Sequence, residues 1–247
     1  MHTDYCSIIY LVHNSLMTLT FRARRTIIVF MSLILMTFVI NSNMTGQVKS
    51  AETKKVIVTN FNLAVDALTK LEIKGRAPKT DYAREQFGAN WLVKNGCDTR
   101  NIILHRDLIN AVVDESCNVV SGTLNDPYAG KVIEFKRGSS TSNAVQIDHV
   151  VALSDAWQKG AQQWTLNQRI ALANDPLELL AVDGAANLEK SDSDAATWLP
   201  SNKSFRCEYV ARQIAVKQKY NLWVTSAEHD AIALVLTKCS NQLLPSP

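Results

Sequence analysis

The segment Val145-Gln146-Ile147-Asp148-His149-Val150-Val151, answered later in the chain by Asn187-Leu188-Glu189-Lys190-Ser191-Asp192, holds the residue types that hydrolysis of a phosphodiester requires. Such a reaction needs a deprotonated water, in-line positioning, and compensation for charge growing on the phosphate and the departing oxygen. Histidine suits the first task because its ordinary pKa lies near neutrality. A magnesium-like ion suits the last, since it takes hard oxygen ligands while keeping several waters. Asp148 and the side-chain oxygen of Asn187 supply two such ligands, and His149 supplies the base on the opposite side of the phosphate. Lys190, one helical turn from Asn187, is placed to contact phosphate or to hold the loop, and a solvated surface lysine is an equal reading. Asp192 reads as a helix or salt-bridge partner rather than a ligand.

Those side chains need particular elements beneath them. The apolar run Ala144 to Val151 predicts a strand that delivers the Asp-His pair. Neighbouring residues on a regular strand point to opposite faces, so the strand must end, bulge or twist at Asp148. Trp157, Trp164, Ile170 and Leu172 recur at helical spacing between Ala152 and Asn174, which predicts one or two helices, broken by Asp175-Pro176. Leu177 to Val182 is short, apolar and bounded by Pro176 and Asp183-Gly184, as a buried strand would be. Asn187 is then expected at the opening of a helix. The order is strand, strand, helix, with a helical insertion between the strands.

Upstream, a helix is expected over much of Lys54 to Leu71, ended by Gly75 and Pro78, and Asp98 or Thr99 is placed to cap a short helix carrying Arg100 and Leu104. Two short strands joined by the turn Asn125-Asp126-Pro127-Tyr128 are expected between Val112 and Phe135. Downstream, Cys207 to Lys219 and Ala227 to Thr237 read as helices. The fold class expected from this order is α+β. His105 and His229 lack a second ligand at useful spacing and read as structural or surface residues. Trp157 and Trp164 suit either a stacking platform for a single strand or core packing, and their helical spacing favours the core.

A chain of 247 residues, 47% hydrophobic, can bury one medium core. Arg22, Arg24 and Arg25 precede the apolar run Thr26 to Ile40, so residues 1–50 read as a secretory signal peptide or an uncleaved signal anchor. Residues 51–80 then form an N-terminal helical extension and 81–240 the main domain, facing the outside of the cell. Beyond Cys6 in the leader, Cys97, Cys117, Cys207 and Cys239 allow three disulfide pairings. Cys97 with Cys117 and Cys207 with Cys239 are favoured because each closes a modest loop. The whole chain carries 26 basic and 23 acidic residues, of which the leader holds four and one, leaving 22 of each, so bulk charge does not announce a nucleic-acid partner. Local charge is more informative: Lys203, Arg206, Arg212, Lys217 and Lys219 form either a basic stripe along a phosphate backbone or a solvated helix face. Lys136 and Arg137 likewise suit phosphate binding or a charged strand edge. The absence of a Gly-rich phosphate loop, a Gly-x-Ser-x-Gly elbow and a His-Glu-x-x-His motif argues against nucleotide-binding, serine-hydrolase and zinc-protease classes.

Several local patterns together resemble a known group. Asp126-Pro127-Tyr128-x-Gly130, Ile147-Asp148-His149-Val150-Val151-Ala152-Leu153, Ala156-Trp157, Ala173-Asn174-Asp175, Asn187-x-x-Lys190-x-Asp192, Trp198-Leu199-Pro200 and Arg206-Cys207-x-Tyr209 are similar to the HNH (His-Me finger, ββα-metal) endonucleases. Within them the chain resembles secreted bacterial proteins related to the C-terminal nuclease domain of GmrSD-type restriction enzymes, from roughly Tyr82 to Cys239. The Asp-His and Asn-x-x-Lys elements also look like the HNH site of RNA-guided CRISPR nucleases. The resemblance implies a ββα-metal core and an endonuclease acting on DNA, or also RNA, that leaves 5′-phosphate and 3′-hydroxyl ends. It implies His149 as general base and one divalent ion, magnesium or manganese, on Asp148 and Asn187. From residue type and position, Lys190, Arg137 and Arg206 are candidate substrate contacts. No obligate protein partner is implied, and any membrane contact would run through the leader. Two departures stand out: Glu178 replaces a frequent asparagine, and Leu188-Glu189 a more basic pair, adding negative charge near the expected phosphate path. A non-catalytic extracellular binding domain on the same fold, or a phosphodiesterase acting on another phosphate polymer, are the other readings.

Overall fold

The computed structural model describes residues 63–245, which belong to the unit Asn60–Pro247. The leader and the first part of the 51–80 extension lie outside the described residues. A short helix α1 (Ala64–Leu68) and an extended stretch lead to a 3₁₀ turn at Arg84–Phe87. The two-residue strands β1 (Val93–Lys94) and β2 (Cys97–Asp98) follow, and then α2 (Thr99–Asp107). The Asp98 carboxylate accepts the Asn101 backbone N–H at 2.7 Å, so the expected cap is present.

Next come β3 (Ile109–Val113), β4 (Val119–Asn125) and β5 (Val132–Lys136), which form an antiparallel sheet in the order β3-β4-β5. The sequence predicts β4 and β5 but not β3. Most of β3 is exposed and its register against β4 shifts twice, so no two-residue alternation marks it.

β6 (Val145–His149) carries the Asp-His pair and lies antiparallel to β7 (Leu179–Asp183), with α3 (Leu153–Gln158) and α4 (Leu166–Ala173) inserted between them. α4 opens on a reciprocal capping box between Thr165 and Gln168. After β7 the chain enters α5 (Gly184–Lys190), then α6 (Arg206–Tyr220) and α7 (Ser226–Leu236). The strand, strand, helix order is thus observed with its helical insertion, and the α+β class with it. α5 does not open at Asn187, as expected, but three residues earlier, because the Asp183 carboxylate accepts the Ala186 N–H and caps it there.

The β6–β7 pair is buried on both faces. Leu180 and Val182 pack into a core with Tyr209, Val210 and Ile214 of α6, while Val145, Ile147, Leu179 and Ala181 pack with Ile103 and Leu104 of α2. This explains why the β7 sequence does not alternate: every one of its residues is buried. Trp157 is buried beside Phe87 and Leu172, and Trp164 packs at the edge of the same cluster, so both serve the core.

Cys97 is bonded to Cys117 and Cys207 to Cys239, with Cα separations of 5.3 and 6.4 Å. The first ties β2 to the β3–β4 turn and the second the start of α6 to the end of α7.

The basic stripe is not present. Lys217 is fully buried and paired with Asp155 and Glu228, the Arg206 Nε donates to the Pro200 carbonyl, Arg212 donates to the Leu177 carbonyl, and Lys219 pairs with Asp175. A helix face so committed holds the fold together and leaves little charge for a phosphate backbone.

Candidate active site

β6 keeps an unshifted register with β7 through Asp148↔Leu180 and His149↔Leu179, and then ends. Among the outcomes expected at Asp148, no bulge is present and the ending falls one residue later, after His149; both residues line one cavity of about 470 Å³. Gln146, Asp148, His149, Asn187 and Asp192 line that cavity together with Lys79, Tyr82 and Arg84.

Each side chain is held differently. The His149 Nε2 lies 3.0 Å from the Ala173 carbonyl, which can only accept, so this nitrogen carries the proton. The other ring nitrogen, Nδ1, then has its lone pair free and no protein partner among the described residues. The imidazole stacks on Trp91 with ring planes 8° apart and centroids separated by 5.7 Å. Burial pushes the His149 pKa down to about 3, assisted by the positive charges of Arg84 and Lys190, so the ring is neutral at physiological pH.

Asp148 is buried. One carboxylate oxygen accepts the Tyr128 hydroxyl and the other the Lys190 ammonium, at 3.0 Å. Burial raises its pKa, while Lys190 and Tyr128 pull the other way. Lys190 is fully buried and also donates to the His149 carbonyl at 2.9 Å, so of its two expected roles it fills the holding one. The Asn187 amide donates to Gln146 at 2.9 Å, which fixes its orientation and leaves the Asn187 Oδ1 as a free acceptor.

Arg137 donates to the Val119 carbonyl and to Asn101, and Arg206 to Pro200, so neither lines the cavity. Glu178 is not on a phosphate path either: it is fully buried and lines none of the cavities near His149. His105 is exposed and His229 sits beside Asp230.

Sequence reasoning assigned no role to Tyr128, Gln146, Arg84 or Trp91. Tyr128 had a signal, since it lies in the Asp126-Pro127-Tyr128 turn; Asp126 orders that turn by accepting the Tyr128, Ala129 and Asp183 N–H groups. Arg84 and Trp91 gave none, because their approach to His149 is a long-range event.

Among the described residues, no three His, Cys, Asp or Glu side chains gather as a metal-ligating group. The donors present still fit a hard cation with a largely aqueous shell. The Asn187 oxygen is free, and a carboxylate that accepts one hydrogen bond on each oxygen retains lone pairs.

Glu178 yields a stability prediction. Its Oε2 accepts the Val151 N–H, whereas Oε1 is buried without a partner, and burial holds its pKa well above the usual range. A raised folded-state pKa adds stability below the unfolded value of 4.5 that is lost as pH rises through the folded value. Glu178→Gln keeps the accepting oxygen and cannot ionise. Denaturant melts should show it more stable than the parent by about 1 kcal/mol at pH 8, the gap closing near pH 4. A gap independent of pH would show that Glu178 is not held neutral.

An antiparallel strand pair presenting Asp148 and His149, followed by a helix presenting Asn187 and Lys190, lies within an α+β domain. The chain belongs to the family described as GmrSD restriction endonucleases, C-terminal domain, which residues 98–235 match. It is also 37% identical over 185 residues to an "Uncharacterized secreted protein" of Arthroderma benhamiae, covering 74% of this chain and 87% of the relative. No solved structure matches.

Proposed function

We propose that the protein is a secreted, divalent-metal-dependent endonuclease that hydrolyses DNA, with RNA as a second substrate. One observation carries the reading: the proton of His149 is fixed on Nε2 by the Ala173 carbonyl, which leaves the Nδ1 lone pair free on a residue that lines the same cavity as Asp148 and Asn187. Family membership supports nuclease chemistry, and the relative described as secreted, together with two disulfides, supports an extracellular setting.

In this mechanism the His149 Nδ1 takes a proton from the attacking water. The Ala173 carbonyl and the Trp91 ring keep the imidazole from rotating, and the carbonyl steadies positive charge as it develops. Asp148 and the Asn187 Oδ1 would hold the ion, magnesium or manganese, which supplies compensation for charge on the phosphate and the leaving 3′ oxygen. Lys190 and Tyr128 fix the rotamer of Asp148 and offset part of its charge, so the cation should bind more weakly than at a bare carboxylate pair. Arg137 and Arg206 have no place in this core, and Lys190 acts as an anchor.

Purified protein should nick supercoiled plasmid with magnesium or manganese and stop on addition of chelator. Cleavage that continues in excess chelator would sink the metal-dependent reading, and absence of cleavage with either metal would sink the nuclease reading.

A further inference from the structure

His149 is shared between two cavities. Behind it lies a recess of about 290 Å³ lined by Arg84, Phe87, Ala89, Asn90, Trp91 and Asn174. We propose that this recess is a subsite for one unpaired nucleotide adjoining the scissile phosphate, with Arg84 gripping that phosphate at its mouth; the proposal rests on the nuclease reading above.

Arg84 is the first support. It is exposed, lines both cavities, and makes no ion pair among the described residues. The other cation on the wall of the larger cavity, Lys79, is bound to Asp192 at 2.8 Å. An unclaimed guanidinium fork beside the candidate base, where the two cavities meet, is suited to a phosphate held by two parallel hydrogen bonds.

The walls give the second support. The partly buried Trp91 indole offers apolar area to a base, and the buried Phe87 closes the recess beside it. The Asn174 amide is already committed, accepting the Leu92 N–H and donating to the Ile170 carbonyl, whereas Asn90 is exposed and makes no hydrogen bond among the described residues. Asn90 is therefore the side chain on hand to bond a base edge. The volume lies at the lower bound for ligand pockets, enough for one nucleotide and too small for a stacked run. A base inside a duplex would have to leave its stack to enter, so an unpaired strand is favoured. The segment Arg84–Trp91 precedes residues 98–235, so chain outside the matched family region builds this wall.

The test measures binding without catalysis. Anisotropy of a fluorescein-labelled single-stranded DNA oligonucleotide, in chelator, is compared for the parent, Arg84→Ala, Arg84→Lys and Ala89→Trp, the last placing an indole from an exposed position into the recess. Thermal melts confirm that each variant is folded. Single-strand affinity should fall roughly tenfold in Ala89→Trp and Arg84→Ala and recover partly in Arg84→Lys, while blunt duplex affinity changes less than about twofold in Ala89→Trp. The proposal is overturned if the parent does not bind the strand, if Ala89→Trp binds it as tightly as the parent, or if duplex binding falls equally. Weakened binding by Ala89→Trp with no plasmid cleavage by the parent would overturn the nuclease reading alone. Plasmid cleavage with undiminished binding would overturn the subsite alone.

Discussion

His149→Ala should lower the rate of metal-supported plasmid cleavage by about 10²- to 10⁴-fold, the range that a positioned general base contributes. The expectation follows from the ring's two nitrogens. Nε2 is tied to the Ala173 carbonyl and Nδ1 has no protein partner among the described residues, so Nδ1 is the nitrogen left to take a proton on a residue that lines both cavities. In this mechanism the remaining lone pairs of Asp148 hold the ion, so it is not free to act as the base. Initial rates under saturating metal are the measurement, and a variant within about threefold of the parent would remove His149 from the mechanism. The same residue fixes a pH signature. With its pKa lowered from 6.5 to about 3, His149 stays unprotonated in the fold where the unfolded chain binds a proton. Its contribution to stability is therefore present above pH 6.5 and is lost as pH falls toward 3. Equilibrium melts of parent and His149→Ala should converge as pH is lowered through that window.

Lys159→Met should destabilise the protein by about 3–5 kcal/mol, enough to lower Tm by on the order of 10 °C. Lys159 is fully buried, and its ammonium lies 2.7 Å from Asp155, 2.8 Å from Asp194 and 2.6 Å from Glu228. Lys217 pairs with Asp155 and Glu228, and Arg76 with Asp155 and Asp194, so three cations balance three carboxylates. Methionine fills much of the same volume but leaves one buried negative charge without compensation. Calorimetry reads the loss, and a decrease below about 1 kcal/mol would mean that the remaining cations suffice. The network also reaches the candidate site. Asp155 is followed in α3 by the core residue Trp157 and preceded by Ser154, which lines the larger cavity, while Asp194 lies just beyond Asp192 of the same wall. Activity should therefore fall in the variant at temperatures below its melting transition.

Much of the scaffold was legible from local signals. Asp98 before Thr99, Pro176 after Asp175 and the apolar run 177–182 act through their own backbone or close neighbours, and each element they predict is present. The disulfide pairing favoured for its modest loops, one of three possible, is the one present. β3 was not legible, because its exposed faces impose no alternation, and the start of α5 was placed too late because the local cap that Asp183 makes to the Ala186 N–H was not read. Whether the basic residues between Lys203 and Lys219 form a stripe along a phosphate backbone or a solvated helix face was not legible for a related reason: charge spacing along a helix does not reveal which side chains meet carboxylates from other elements, as Lys217 does.

The sequence by itself determined the inventory of the site: an Asp-His pair at the end of a strand, and an asparagine and a lysine one turn apart on the following helix. Those depend on residue type and short-range periodicity, which the chain states directly. Only the tertiary structure decided how each atom is used. It buried Lys190 against Asp148, tied the His149 Nε2 to a carbonyl from α4, took Glu178 out of the cavity, and brought Arg84 and Trp91 from an upstream segment to His149. Hydrogen-bond availability and burial are properties of packed neighbours, and those neighbours lie tens of positions apart in the chain.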